Sequence, residues 1–294
     1  MPMPKLFDAP SALSYFSALV SDDASLPLTE AALSIAHDDD PQLDGQAVLS
    51  ELDTLAGRLK RRIPADANSV HKLRLLNRFF FHELGFGANM NNFYDAGNSY
   101  LHRVLATRRG IPISLAVIYI ELAGQLGLQA KGVSFPGHFL IKLRVQGGAQ
   151  SGEVVIDPVN GQSLSREQLD EMLQPYKRSH GLVGDFDVPL GLFLQAAPAR
   201  DVLARMLRNL KEIHRSAEDW TRLIAVLHRL VILLPDVPEE RRDRGLAHAE
   251  LGQSHEAAAD LAHYLAQRPD ADDSAALAER LHELRSTGGQ HRLH

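Results

Sequence analysis

The chain has 294 residues, 45% of them hydrophobic and 23% charged, an ordinary globular composition long enough for one large or two modest domains. Its 31 Lys and Arg stand against 37 Asp and Glu; the net charge of −6 argues against a general nucleic-acid or membrane-surface binder, since both need a basic footprint. There is no cysteine, which excludes disulfides, cysteine-based zinc sites and thiol nucleophiles together.

The first ninety residues read as helices. SALSYFSALV, LTEAALSIAHDD, AVLSELDTLAGRLKRRI and SVHKLRLLNRFFFHELG carry apolar residues at three- and four-residue spacing. Thr29 with Glu30, and Ser69, are the expected N-caps, and Gly85 is placed to end the last helix. His37-Asp38-Asp39-Asp40-Pro41 reads as a solvated loop rather than a metal site. The start of the chain shows no apolar segment of secretory type, and runs such as IPISLAVIYI fall short of the roughly 20 residues that span a bilayer. A cytoplasmic protein is expected.

GFGANMNNFYDAGNS, rich in Gly and Asn, marks an ordered and functional loop. Asn98 or Ser99 is then expected to cap the helix SYLHRVLATRR, with Gly110 as its stop. Pro112 suits a first helical position, because its missing N–H would have no intrahelical acceptor. The helix that follows, ISLAVIYIELAGQL, is apolar nearly all round and should be buried centrally, ending at Gly127. Three strand-like runs, QAKGVSF, HFLIKLRV and EVVIDPV, complete an antiparallel meander, so this part is α+β. Ser165 should open the helix SLSREQLDEML.

Helices dominate the rest. LHRLVILLPD at 227–236 matches LAHYLAQRPD at 261–270, which sets Pro235 against Pro269 and Ala225 against Ala259. That spacing is the length of a tetratricopeptide (TPR) helix pair, about 34 residues. The expected division is residues 1–180 for the α+β domain with its N-terminal helices, and 181–285 for the repeats, with a frayed tail in STGGQHRLH. His228, His248, His255 and His263 read as solvated helix-surface residues. No metal is expected, and no cofactor, since Gly85-x-Gly87 is too short for a phosphate loop.

One pair of residues carries chemistry. If the second and third strands form a hairpin closed by a four-residue turn at 146–149, His138 and Asp157 face each other directly, whereas a slip of one residue would part them. A carboxylate-oriented imidazole is the base half of a nucleophilic triad, whose third member belongs at the N-terminus of a buried helix.

Arg109-Gly110-Ile111-Pro112-Ile113-Ser114-Leu115, Asn98-Ser99, Pro136-Gly137-His138-Phe139 and Asp157-Pro158 together resemble the transglutaminase-like superfamily over residues 30 to 175. The resemblance is greatest to its bacterial branch of regulators of sirC expression, which joins a transglutaminase-like and a TPR domain. It implies a papain/transglutaminase-like core, with a central buried helix on a small antiparallel sheet, followed by an all-α segment. In that family a Gly-x-Cys opens the central helix; ungapped alignment puts Pro112 where the cysteine would stand. Ser114 is the nearest hydroxyl, but two residues along a helix is about 200° of rotation. His138 and Asp157 thus read as the remnant of a triad. Asn91, Asn92, Tyr94, Asn98, Ser99 and Pro112 are the residues expected to line the vestigial cleft. The expected function is a non-catalytic interaction or regulatory protein with a protein or peptide partner and no nucleic acid or membrane. The alternative is a hydrolase or acyltransferase in which Ser114 or Ser99 acts with His138 and Asp157.

Overall fold

Through the first ninety residues the apolar spacing becomes four helices: α1 (Ala12–Leu19), α2 (Leu28–Ser34), α3 (Gly45–Lys60) and α4 (Ser69–Asn77). The computed structural model describes residues 11–92, 94–147, 150–182 and 184–290. α4 continues as a π-helical turn, Arg78–Glu83, which Gly85 follows in the left-handed conformation at φ 74°. Next, β1 (Gly87–Ala88) pairs in parallel with β2 (Arg109–Gly110), on either side of α5 (Leu101–Thr107).

Three caps differ from expectation, two of them because short polar side chains serve tertiary contacts instead of the nearest helix end. Pro27 precedes α2, and the Thr29 hydroxyl donates to Glu121 at 2.6 Å. Asn68 caps α4 through the His71 N–H, while the Ser69 hydroxyl bonds the main chain of Gln146. Neither Asn98 nor Ser99 caps α5. Its N-cap is Tyr100, without a side-chain bond, and it stops at Arg108 (φ 60°), ahead of Gly110.

α6 (Pro112–Gln125) is the central helix, with Ile113 through Tyr119 all buried. It packs on β3 (Gln129–Val133) and β4 (Leu140–Gly147), which join β5 (Gln150–Ile156) in an antiparallel sheet of order β3-β4-β5. The opposite face buries Val133, Leu140 and Val155 beneath α7 (Arg166–Ser179) and α8 (Leu190–Phe193), through Leu169, Leu173 and Leu190. Ser165 caps α7 in a reciprocal capping box with Gln168, as its position suggests. Gly147 pairs with Gln150, so the hairpin is two residues tighter than the expected turn at 146–149; residues 148–149 lie outside the described residues. Two is an even shift, so each side chain keeps its face.

The remaining helices are α9 (Ala199–Ser216), α10 (Trp220–Leu233), α11 (Pro238–Glu250), α12 (Ser254–Gln267) and α13 (Ser274–Gln290). α12 begins and ends one repeat period after α10, and α11 ends one period after α9. The backbone repeats with them: Leu234 has φ −127° and ψ 64°, and Arg268 has φ −130° and ψ 61°. The tail expected to fray from Ser286 is helical to Gln290; residues 291–294 lie outside the described residues.

The chain forms two compact units. One comprises Pro27–Ala36 and Gln42–Met206, the other the chain up to Leu26, His37–Pro41 and Leu207 onward. Within the second, α1 packs on α10, and the acidic stretch is not a solvated loop. Asp38 receives two hydrogen bonds of 2.7 Å from Arg229, whose side chain is 1% exposed and lies over the Phe16 ring. His248 is also buried rather than solvated, in ring contact with His228.

Candidate functional site

The segment Arg109–Ser114 is built by steric fit. Pro112 opens α6 at its first position, and Ile111 precedes it in extended conformation. Ser114 sits in the first turn with its hydroxyl fully buried. The hydroxyl accepts from the Ile111 N–H at 3.1 Å and donates to the Asn98 carbonyl at 2.6 Å. Gly110 makes room for it: a Cβ there would stand 2.7 Å from the Ser114 oxygen and 3.0 Å from Val104. Arg109 bonds the Gly85 carbonyl at 2.5 Å, so the same segment closes the Gly/Asn-rich loop.

That loop holds its shape through its own amides. Asn89 donates to the Asn98 side chain at 3.0 Å, and Asn98 donates to the Asn92 carbonyl at 2.7 Å. The Asn92 N–H bonds the Asn89 side chain, and the Asn92 amide reaches Asp95. Asn92 and Asn98 thus serve the loop itself, with Asn98 only 3% exposed. Asn91 is exposed, and Met90 and Tyr94 are 86% and 80% exposed, so the outward surface of the loop is apolar as well as polar. Asn89, which organises the network, was not among the sequence candidates; its signal is the recurrence of Asn at 89, 92 and 98 in a Gly-rich segment.

His138 lies two residues before β4. Pro136-Gly137 turn the chain, with Gly137 at φ 72°, and the His138 N–H bonds the Phe135 carbonyl at 3.1 Å. Asp157 follows β5, where Val159 donates its N–H to one carboxylate oxygen at 2.8 Å. The other oxygen is 3.1 Å from His138 Nε2. The residues meet although the expected direct pairing does not form. Continuing the observed register places Asp157 opposite Leu140, so His138 is its diagonal neighbour on the same face. Burial alone would raise the Asp157 carboxyl, but the bonds from His138 and the Val159 N–H outweigh it and hold the group below the usual carboxylate range. With Nε2 on the carboxylate, Nδ1 is the nitrogen left for base chemistry. Among the described residues no hydroxyl bonds it.

Arg205 is the residue that sequence reasoning missed. Its guanidinium bonds the Ser134 hydroxyl at 2.8 Å, the Phe135 carbonyl at 3.2 Å and the His138 carbonyl at 2.8 Å, and it lies over the Phe139 ring. Burial pulls its pKa down from the ordinary guanidinium value. One side chain, 67 residues beyond His138, therefore fixes the whole turn that presents the imidazole. No local pattern marks it.

His138 and Asp157 thus form an imidazole–carboxylate pair, while α6 opens with Pro112, which carries no nucleophile, and the Ser114 hydroxyl is committed to backbone. Ser99 is 2% exposed, and its hydroxyl has no hydrogen-bond partner among the described residues, His138 included. Residues 46–208 match the family model of the transglutaminase-like superfamily. The chain belongs to that superfamily. Residues 210–282 match a tetratricopeptide repeat model. A UPF0162 protein of Xylella fastidiosa strain 9a5c is 40% identical over 249 residues, covering 84% of this chain and 86% of that protein. A UPF0162 protein of Pasteurella multocida is 30% identical over 264 residues (90% and 94%), and the UPF0162 protein YchA of Escherichia coli K12 is 27% identical over 248 residues (83% and 87%). No solved structure matches the chain. These relatives bear the UPF0162 name rather than that of the sirC regulators. No helix among the described residues is long and apolar enough to cross a membrane.

Proposed function

We propose that this transglutaminase-like protein is a non-catalytic interaction or regulatory protein of the cytoplasm, which binds a protein or peptide partner through its nucleophile-free cleft and its TPR helices. The observation that carries this reading is Pro112 at the first position of α6, in a chain with no cysteine. A proline there brings no attacking group, and the oxygen two residues on is fully buried with its proton on the Asn98 carbonyl. The His138–Asp157 pair then serves to orient the turn and to offer Nδ1 as a recognition group. Exposed Met90, Asn91 and Tyr94 supply contact area of the kind partner surfaces use. A regulatory effect on gene expression, as in the sirC-regulator branch, would follow through such a partner; the acidic net charge disfavours direct contact with nucleic acid.

The test pairs an activity screen with partner capture. Ester hydrolysis and amine acyl-transfer assays are expected to show no turnover above background with the wild type. Turnover that His138→Ala abolishes would establish the serine-hydrolase alternative and overturn the proposal. Capture from the native bacterium should recover a partner that His138→Ala or Tyr94→Ala loses while the fold is retained.

A further inference from the structure

Returning chain meets both edges of the three-stranded sheet over a short stretch. On the β3 side, the Gly132 carbonyl accepts the Ala197 N–H at 2.8 Å. On the β5 side, Gln162–Leu164 folds back over the last residues alone: the Val155 carbonyl accepts the Leu164 N–H at 2.9 Å, and the Asp157 N–H reaches the Gln162 carbonyl at 2.9 Å. Backbone groups alternate sides along a strand. Since Val155 points its carbonyl away from β4, Ser151 and Glu153 direct both N–H and C=O to the same open side. The sheet order gives them no strand neighbour there among the described residues. An unpaired row of this kind is a template for another strand.

Beside that edge is a cavity of about 640 Å³. Val155, Leu164, Leu169, Leu190 and Leu194 line it, and Lys142, Glu153 and Arg166 stand on its rim. The rim is unevenly charged. Lys142 faces Glu153 at 3.4 Å, whereas Arg166 is 80% exposed and its acid, Asp170, is 4.0 Å away, at the limit of an ion pair. Backbone pairing with a pocket for alternate side chains is the arrangement by which sheets take up extended peptides.

We propose that the Ser151–Glu153 edge of β5 is a strand-addition site for an extended peptide segment of a protein partner, with an apolar side chain in the leucine-lined cavity and a carboxylate two residues along, on the same face, at Arg166. The peptide continues, N-terminally along β5, the pairing that Gln162–Leu164 begins. The proposal goes beyond the reading of the His138 cleft and does not depend on it, because the paired residues lie toward the start of β5 and Asp157 follows its end.

The probe is the capped peptide acetyl-Ser-Thr-Leu-Thr-Asp-Thr-Ser-amide, in which Leu and Asp share a face, titrated into the full-length protein and followed by amide NMR and hydrogen exchange. The expected result is slowed exchange of the Ser151 and Glu153 amides, with affinity falling about tenfold in two variants. Glu153→Pro removes an outward N–H and leaves the β4 ladder intact. Leu194→Trp fills the cavity and leaves the strand untouched, which keeps the test decisive if the proline variant fails to fold. Replacing the peptide's Asp with Lys should weaken binding a few-fold, and His138→Ala should leave it unchanged. The proposal is overturned if the probe fails to protect the Ser151 and Glu153 amides, or if a folded Leu194→Trp protein binds as the wild type does. Binding that His138→Ala abolishes would instead assign the peptide to the cleft.

Discussion

The repeat unit and the transglutaminase-like core join their helices by different means. In the repeats the same backbone solution recurs with each period: Glu218 and Gly252 both turn with positive φ, at 55° and 70°, before their second helices, and Leu234 and Arg268 end those helices with nearly equal dihedrals. In the core several junctions are instead fixed by single long-range polar contacts: Arg109 on the Gly85 carbonyl, Ser114 on the Asn98 carbonyl, Arg205 across the Ser134–His138 turn. Local rules therefore govern the first region and tertiary partners the second. Where the regions depart from that division, substitutions should have their largest effects.

The largest effect is expected at Arg229, where the repeat unit relies on a buried long-range pair instead of a local turn. Arg229→Met leaves Asp38 without its counter-charge and should cost about 3–5 kcal/mol in urea denaturation, with Arg229→Met/Asp38→Leu recovering most of it. A small loss in the single variant would mean that helix packing alone holds the acidic stretch. Next comes Gly161 in the core, at φ 75°, where an added Cβ would overlap the Phe81 ring. Gly161 closes the Asp157 turn by donating its N–H to the Asp157 carbonyl. Gly161→Ala should cost about 2–3 kcal/mol from crowding and strain together, and the His138 ring NMR signals should shift as the turn moves.

The same division explains what could be read from the sequence. The buried α6 with Pro112 at its head was legible because apolar composition and the N1 preference of proline are local. The repeat period was legible because Pro235 and Pro269 mark equal backbone positions. The meeting of His138 with Asp157 was legible, but its register was not. That depends on how tightly the chain turns after Gly147, and Gln/Gly-rich composition fixes no turn length. The caps at Thr29 and Ser69 were misread because both hydroxyls have partners far along the chain. Arg205 and the Arg229–Asp38 pair were invisible, since nothing local sets apart one arginine of an amphipathic helix from another.

Acid should separate the regions by sign and window. Burial lowers the His214 pKa, a shift that Arg222 adds to and Asp219, Asp39 and Asp38 oppose. Burial likewise lowers that of His228, together with Arg244 and His248 and against Asp260. A histidine depressed in the folded state is protonated more readily when unfolded, so its contribution is present above the ordinary value near 6.5 and is lost as pH falls below it. Asp157 is also depressed, but a carboxylate's contribution persists until pH falls below about 4. Melts followed at Trp220, in the repeat unit, should therefore weaken between about pH 6.5 and 5 while His138–Asp157 stays intact. Replacing His214 and His228 with Gln should flatten that slope; an unchanged slope would place the sensitivity elsewhere.

The smallest effect is the most direct test of the local rule. Glu218 holds a left-handed conformation that costs a side-chain-bearing residue about 1 kcal/mol, and its counterpart one period later is Gly252. The N–H groups at the two positions make the same bond, Glu218 to the Arg215 carbonyl and Gly252 to the Ala249 carbonyl, so the glycine is a geometric substitute. Glu218→Gly should then raise stability by a few tenths of a kcal/mol, the relief of strain being partly cancelled by the greater freedom of glycine in the unfolded chain. Gly252→Ala should lower it by about 1 kcal/mol, since a Cβ there has open space and only the backbone angle to oppose it. Opposite signs at positions 218 and 252 would show that the turn angle itself is what the period repeats. Equal signs would mean that the Glu218 side chain holds its turn by a contact of its own.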